Sequence, residues 1–126
     1  MTLFDIMGPI MVGPSSSHTA GAARIGLITR RLLGEPPVSA RLLLHGSFAA
    51  TGKGHGTDRA LVAGLLGLAP DDPDLPRSFA LAKEAGMEVA VDTVTLRGAH
   101  PNTVVLQVAG AGGRSMEVNA SSLGGG

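Results

Sequence analysis

The run "VSARLLLHG" (residues 38–46) places Val38, Ala40, Leu42 and Leu44 at every second position. That period belongs to a strand with one buried face, which needs a cover. Helical spacing on either side supplies it. Ile25, Ile28 and Leu32 share one face of a helix that runs from Ser15, Ser16 or Ser17 to about Leu33, where Gly34 and Pro36 end it. Leu61, Leu65 and Leu68 form a stripe on a second helix, capped by Thr57 or Asp58. Residues 77–86 suit a short third helix ending at Gly86. Strands follow at 87–98 and 103–110, and "AGAGGR" turns the chain into "SMEVNA" as a hairpin. Residues 1–14, broken by Gly8, Pro9, Gly13 and Pro14, read as an extended lead-in. "GSFAATGKGHGTD" reads as a glycine-rich loop, and "APDDPDLP" as a proline-broken acidic turn. The fold class is therefore α/β: a mixed β-sheet with helices packed on at least one face.

The 126 residues are enough for one domain with a core of its own. Hydrophobic residues make up 44% of the chain, so it is not disordered. Ten basic and ten acidic residues cancel, and no basic run points to nucleic acid or an anionic membrane. Aromatics are 2%, with no Trp or Tyr, which argues against base stacking. The chain has no cysteine, so it cannot hold a disulfide, a zinc–thiolate site or an iron–sulfur cluster on thiolates of its own. No stretch approaches the roughly 20 apolar residues of a membrane span. The first residues have neither a basic nor a long apolar signal region, so the expected location is the cytoplasm. The ending "NASSLGGG" reads as a joint to something further.

Three polar clusters carry the chemistry. In "MVGPSSSHTAGAARIG" four hydroxyls and a histidine occupy Ser15 to Thr19. A helix start offers free N–H groups and the positive end of the dipole, both suited to an anion. Hydroxyls add donors for a carboxylate or phosphate. The dipole also disfavours imidazolium, which helps keep His18 neutral as a proton acceptor. An overbuilt N-cap with an incidental histidine fits the same residues. In "TGKGHGTDRA", Gly52, Gly54 and Gly56 alternate with Lys53 and His55. Such glycines let a backbone approach a ligand, but the spacing is not that of a nucleotide phosphate loop, and a plain connector is the alternative. In "AHPNT", His100 and Asn102 either serve a site or make an ordinary Pro–Asn turn. His45, at a strand end, reads as structurally satisfied. All four histidines sit at element ends, and one edge of an α/β sheet is where sites form. None has metal-ligand spacing to another, so no metal site is expected in this chain.

"GPSSSHTAGAARIG" followed by "LHGSFAATGKGHGTDRALVAGLLG", with "HPNT" at 100–103, resembles the β chain or β domain of the iron–sulfur-dependent L-serine dehydratases, over nearly the whole chain. The resemblance implies deamination of L-serine to pyruvate and ammonia. It implies a [4Fe–4S] cluster held by a separate α chain or α domain, which accords with the absence of cysteine here. It also implies a fold like the allosteric substrate-binding domain of phosphoglycerate dehydrogenases. In the family an ACT-type domain usually follows, and this chain stops at "SSLGGG", about where that continuation would begin.

Carried over, the resemblance makes His18 and His55 the catalytic pair, with His55 the base for the Cα proton and His18 its partner or a hydroxyl-side acid, or the reverse. Ser15, Ser16, Ser17, Thr19, Thr57 and Asp58 would bind substrate, with Asp58 an alternative partner for the ammonium group. His100 and Asn102 would join them, and Lys53 would add positive potential. The expected partners are the α chain and L-serine, in a homo- or hetero-oligomer. The rival expectation is a regulatory module that binds serine or an anion and does no chemistry.

Overall fold

A computed structural model describes residues 5–12, 18–52 and 56–122. It contains β1 (Asp5–Val12), α1 (His18–Leu33), β2 (Pro37–Gly46), α2 (Ser47–Gly52) and α3 (Thr57–Leu65). A 3-10 turn at Leu75–Arg77 leads into α4 (Ser78–Glu84), and β3 (Glu88–Val94), β4 (Asn102–Gly110) and β5 (Ser115–Ser122) complete the chain. The five strands form one mixed sheet in the order β1-β5-β4-β2-β3. β4 is antiparallel to both β2 and β5, whereas β1 runs parallel to β5 and β3 parallel to β2. The C-terminal ends of β1, β2, β3 and β5 and the start of β4 therefore share one edge.

The expected alternation in β2 is borne out at Ala40, Leu42 and Leu44, which are buried, while Val38 is exposed. Val104, Leu106 and Val108 of β4 and Met116, Val118 and Ala120 of β5 share that face. Helices cover it. α1 contributes Ala22, Ile25, Thr29 and Leu33, a stripe centred on smaller residues than the expected Ile25–Ile28–Leu32 line. The Thr29 hydroxyl is satisfied by donating to the Ile25 carbonyl (2.8 Å). Leu61, Val62 and Leu65 of α3 fill the remainder.

α1 and α3 pack tightly against each other. A Cβ on Gly26 would stand 2.9 Å from Gly64 Cα and press on the Leu61 carbonyl. A Cβ on Gly64 would stand 2.8 Å from Gly26 Cα and press on the Ala23 carbonyl. Only two glycines let these backbones meet so closely. Further up, the Thr19 hydroxyl lies 3.7 Å from where a Cβ on Gly56 would stand. Residues 19 to 26 thus run alongside 56 to 64, so the two helices point the same way and begin at the same sheet edge.

Three expectations need correction. The extended lead-in is a paired strand, β1, whose register shifts between Met7 and Ile10, around Gly8 and Pro9. The strand expected over 87–98 ends at Val94. The glycine-rich loop after β2 opens with a short helix, α2, anchored by a fully buried Phe48 and by the Ser47 amide, which donates to the Pro101 carbonyl (2.7 Å).

Candidate functional site at the sheet edge

The shared sheet edge collects the described parts of the polar clusters. Val12, the last residue of β1, pairs with Ser122 of β5, and the segment 13–17 joins it to α1. β2 ends at Gly46, opposite Asn102 of β4, and leads through α2 and residues 53–55 into α3. Ser15, Ser16, Ser17, Lys53 and His55 lie outside the described residues. His18 is the first residue of α1, and Thr19 is half-buried in its first turn.

Thr57 and Asp58 stand in the first turn of α3 rather than capping it. The cap position is Gly56, with φ +113°, and no side chain caps the helix. A left-handed cap residue frees Thr57 and Asp58 to turn inward. Both are buried, and Asp58 Oδ1 accepts the Arg59 amide at 2.8 Å. An acidic residue in the first turn also faces the favourable end of the helix dipole.

The "HPNT" turn is held by its own bonds. His100 Nδ1 accepts the Asn102 amide (3.0 Å), and the His100 carbonyl accepts the Thr103 hydroxyl (2.6 Å). Since that hydroxyl has one proton and the carbonyl only accepts, Ser121 donates its own proton to Thr103 Oγ1 (2.7 Å). His100 is thus a turn residue that positions Asn102. His45 is engaged as expected, its Nδ1 accepting the Leu96 amide (3.0 Å) and tying down the β3–β4 connection.

Asn102 itself turns to the helix-covered face. Its Nδ2 donates to the Ser122 carbonyl (3.4 Å), while its Oδ1 and the Ser122 hydroxyl are buried with no hydrogen-bond partner among the described residues. Ser122 was not foreseen. Its only signal was the pair of serines in "NASSLGGG", a stretch that reads as a joint, whereas Ser121 and Ser122 complete β5.

The structure therefore brings Thr19, Thr57, Asp58, Asn102 and the backbone of His18 to one edge, beside two helix N-termini. Such an edge can hold a small anion through backbone N–H groups and offer acceptors to a cationic group nearby. Among the described residues no three His, Cys, Asp or Glu side chains gather as a metal site.

The model of the serine dehydratase beta chain matches residues 2–90, most of the chain. The chain belongs to the serine dehydratase beta-chain family. It is 49% identical over 124 residues to the L-serine dehydratase beta chain of Peptoniphilus asaccharolyticus, covering 98% of this chain and 56% of that protein. It is 42% identical over 125 residues to the probable L-serine dehydratase beta chain of Bacillus subtilis, covering 99% of this chain and 56% of that protein. L-serine dehydratase 2 of Escherichia coli is 42% identical over 81 residues, 60% of this chain but only 17% of that protein. The chain thus spans little more than half of its beta-chain relatives, and a still smaller part of the E. coli one. Family membership gives the sheet edge a serine dehydratase context. No helix among the described residues is long and apolar enough to cross a membrane.

Proposed function

We propose that this chain is the β component of an L-serine dehydratase. Together with an iron–sulfur α chain it deaminates L-serine to pyruvate and ammonia. The observation that carries this reading is the meeting of the two long family motifs, as two parallel helix starts, at one edge of the sheet. Residues of this chain do not fit a [4Fe–4S] cluster, because it has no thiolate to offer. The cluster is therefore assigned to the α chain, and this chain to the α-carbon half of the reaction.

In that half, the carboxylate of serine is held by the N-terminal N–H groups of α1 and α3 and by the hydroxyls of Ser15, Ser16, Ser17, Thr19 and Thr57. These donors strengthen as negative charge spreads from Cα into the carboxylate. Either His18 or His55 takes the Cα proton as a neutral imidazole, and the other is its partner. The electron pair left at Cα forms a double bond to Cβ as the Cβ–O bond breaks, and the hydroxyl leaves with the bonding pair and takes up a proton to become water. The resulting enamine becomes an imine, which water hydrolyses to pyruvate and ammonia. Asp58 and Asn102 serve the ammonium side, and Lys53 adds positive potential.

The test is anaerobic pyruvate release from L-serine by the full chain with its α partner, using wild type, His18→Ala and His55→Ala, with serine affinity measured alongside. Loss of turnover of at least about a hundredfold, with partner binding intact, is expected for each histidine variant. Unchanged turnover with weaker serine binding would instead make this a regulatory serine-binding module.

A further inference from the structure

We infer that Asn102 Oδ1 and Ser122 Oγ are the acceptors for the α-ammonium group, and so set the preference for an amino acid over a plain carboxylic acid. This rests on the proposed serine site and deepens it. The argument begins with cross-strand pairing. Thr103 stands opposite Ser121 in the antiparallel β4–β5 ladder, which puts Asn102 opposite Ser122 on the same face. Asn102 is 9% exposed and Ser122 0%.

The amide orientation follows from its neighbour. The Ser122 carbonyl can only accept, so the Asn102 NH2 faces it (3.4 Å) and Oδ1 is the free end. A buried Oδ1 accepts and cannot donate. It repels a carboxylate or phosphate oxygen and calls for an N–H or O–H. The Ser122 hydroxyl, across the ladder from Asn102, has lone pairs to accept with as well as a proton to donate. Two buried oxygens without partners among the described residues, at an edge where the dipoles of α1 and α3 favour an anion, make a site of divided polarity. That is the pattern a zwitterion needs.

The backbone around Asn102 is held on both sides. Its amide is held by His100 Nδ1, and its neighbour Thr103 by the His100 carbonyl and Ser121. Asp58 differs in kind: one of its oxygens is already engaged by the Arg59 amide.

The test uses the full chain in complex with its α partner and two ligands that cannot lose water, L-alanine and propanoate. They differ only in the ammonium group, and calorimetry gives a Kd for each. Wild type should prefer L-alanine by at least about tenfold, the worth of one charge-assisted hydrogen bond. In Asn102→Ala the preference should fall below about threefold because alanine weakens while propanoate does not. Ser122→Ala should lose part of the preference with no fall in thermal midpoint, so the question stays answerable if Asn102→Ala folds poorly. A preference retained in both variants overturns the inference, as does one lost only in Asp58→Asn. Equal weakening of both ligands also overturns it, since the pair would then organise the site rather than read the ammonium. A wild type that binds neither ligand, or both alike, overturns the proposed amino-acid site itself.

Discussion

The two ends of the sheet treat their polar groups in opposite ways. At the lower end, Glu35 Oε1 accepts the amides of Gly112 and Arg114 (both 3.1 Å), clamping the β4–β5 hairpin that Gly110 N–H closes onto the Arg114 carbonyl (2.8 Å). There too, Arg30 reaches the Leu65 carbonyl (2.9 Å) and satisfies the C-terminus of α3. At the upper end, Asn102 Oδ1 and Ser122 Oγ are buried and left without partners among the described residues. An unmade bond of this kind typically costs about 1–3 kcal/mol. Among the described residues, one end satisfies its polar groups within the fold, and the other leaves these two buried oxygens without partners, which is the contrast the proposed serine site rests on.

Substitutions on either side of this divide should part company. The largest effect belongs to the proposed catalytic pair, His18 and His55. A hundredfold loss of turnover in His18→Ala or His55→Ala corresponds to about 2.7 kcal/mol of barrier. Urea denaturation should show stability within about 0.5 kcal/mol of wild type. If both variants instead unfold easily, the upper end is structural and the contrast fails.

Gly64→Ala should come next and act the other way. Its Cβ would meet backbone at Gly26, which cannot swing aside, so the helices must separate. Overpacking of this kind costs about 1–3 kcal/mol. The urea midpoint should fall by that amount. Turnover by the folded fraction should fall as well only if helix spacing also sets the site, which would sharpen the comparison by linking the two ends through α1 and α3.

How much of this was legible in the sequence depends on the range of the forces involved. α1, β2, α3, α4 and the β4–β5 hairpin follow from local periodicity and glycine stops, and their expected places hold. β1 was not legible as a strand, because Gly8 and Pro9 interrupt its pattern and its pairing partner is over 100 residues away in β5. α2 was hidden because six residues ending in glycine carry no helical period, and Phe48 anchors them only through tertiary burial. Within the site, Thr19, Thr57, Asp58 and Asn102 come to one sheet edge because each sits at an element end, while Ser15, Ser16, Ser17, Lys53 and His55 lie outside the described residues. The caps expected at Thr57 or Asp58 became first-turn residues, since Gly56 takes a conformation that moves the helix start back by one. Ser122 escaped notice because a serine pair beside glycines looks the same in a tail as in the last residues of a buried strand.

Glu35→Ala tests the lower end directly. It removes an acceptor from two amides at a partly exposed turn, so the expected cost is about 1 kcal/mol, discounted for solvent. Turnover and serine affinity should not change. A loss of activity without a loss of stability would place a functional role at the end described here as structural.

The smallest and most discriminating effect concerns two adjacent serines. Ser121 donates to Thr103 Oγ1 at 2.7 Å, whereas Ser122 Oγ has no partner among the described residues, although both side chains are buried. Ser121→Ala removes a made bond and should lower stability by about 1 kcal/mol. Ser122→Ala removes a buried hydroxyl that has no partner among the described residues and should be neutral or slightly stabilising, by up to about 1 kcal/mol. Urea midpoints of the two variants, measured side by side, decide it. If Ser122→Ala destabilises as much as Ser121→Ala, its hydroxyl is bonded within the protein, and the upper end is closed like the lower. If the two differ in the expected sense, the fold is carrying a cost at Ser122 that only a bound ligand repays.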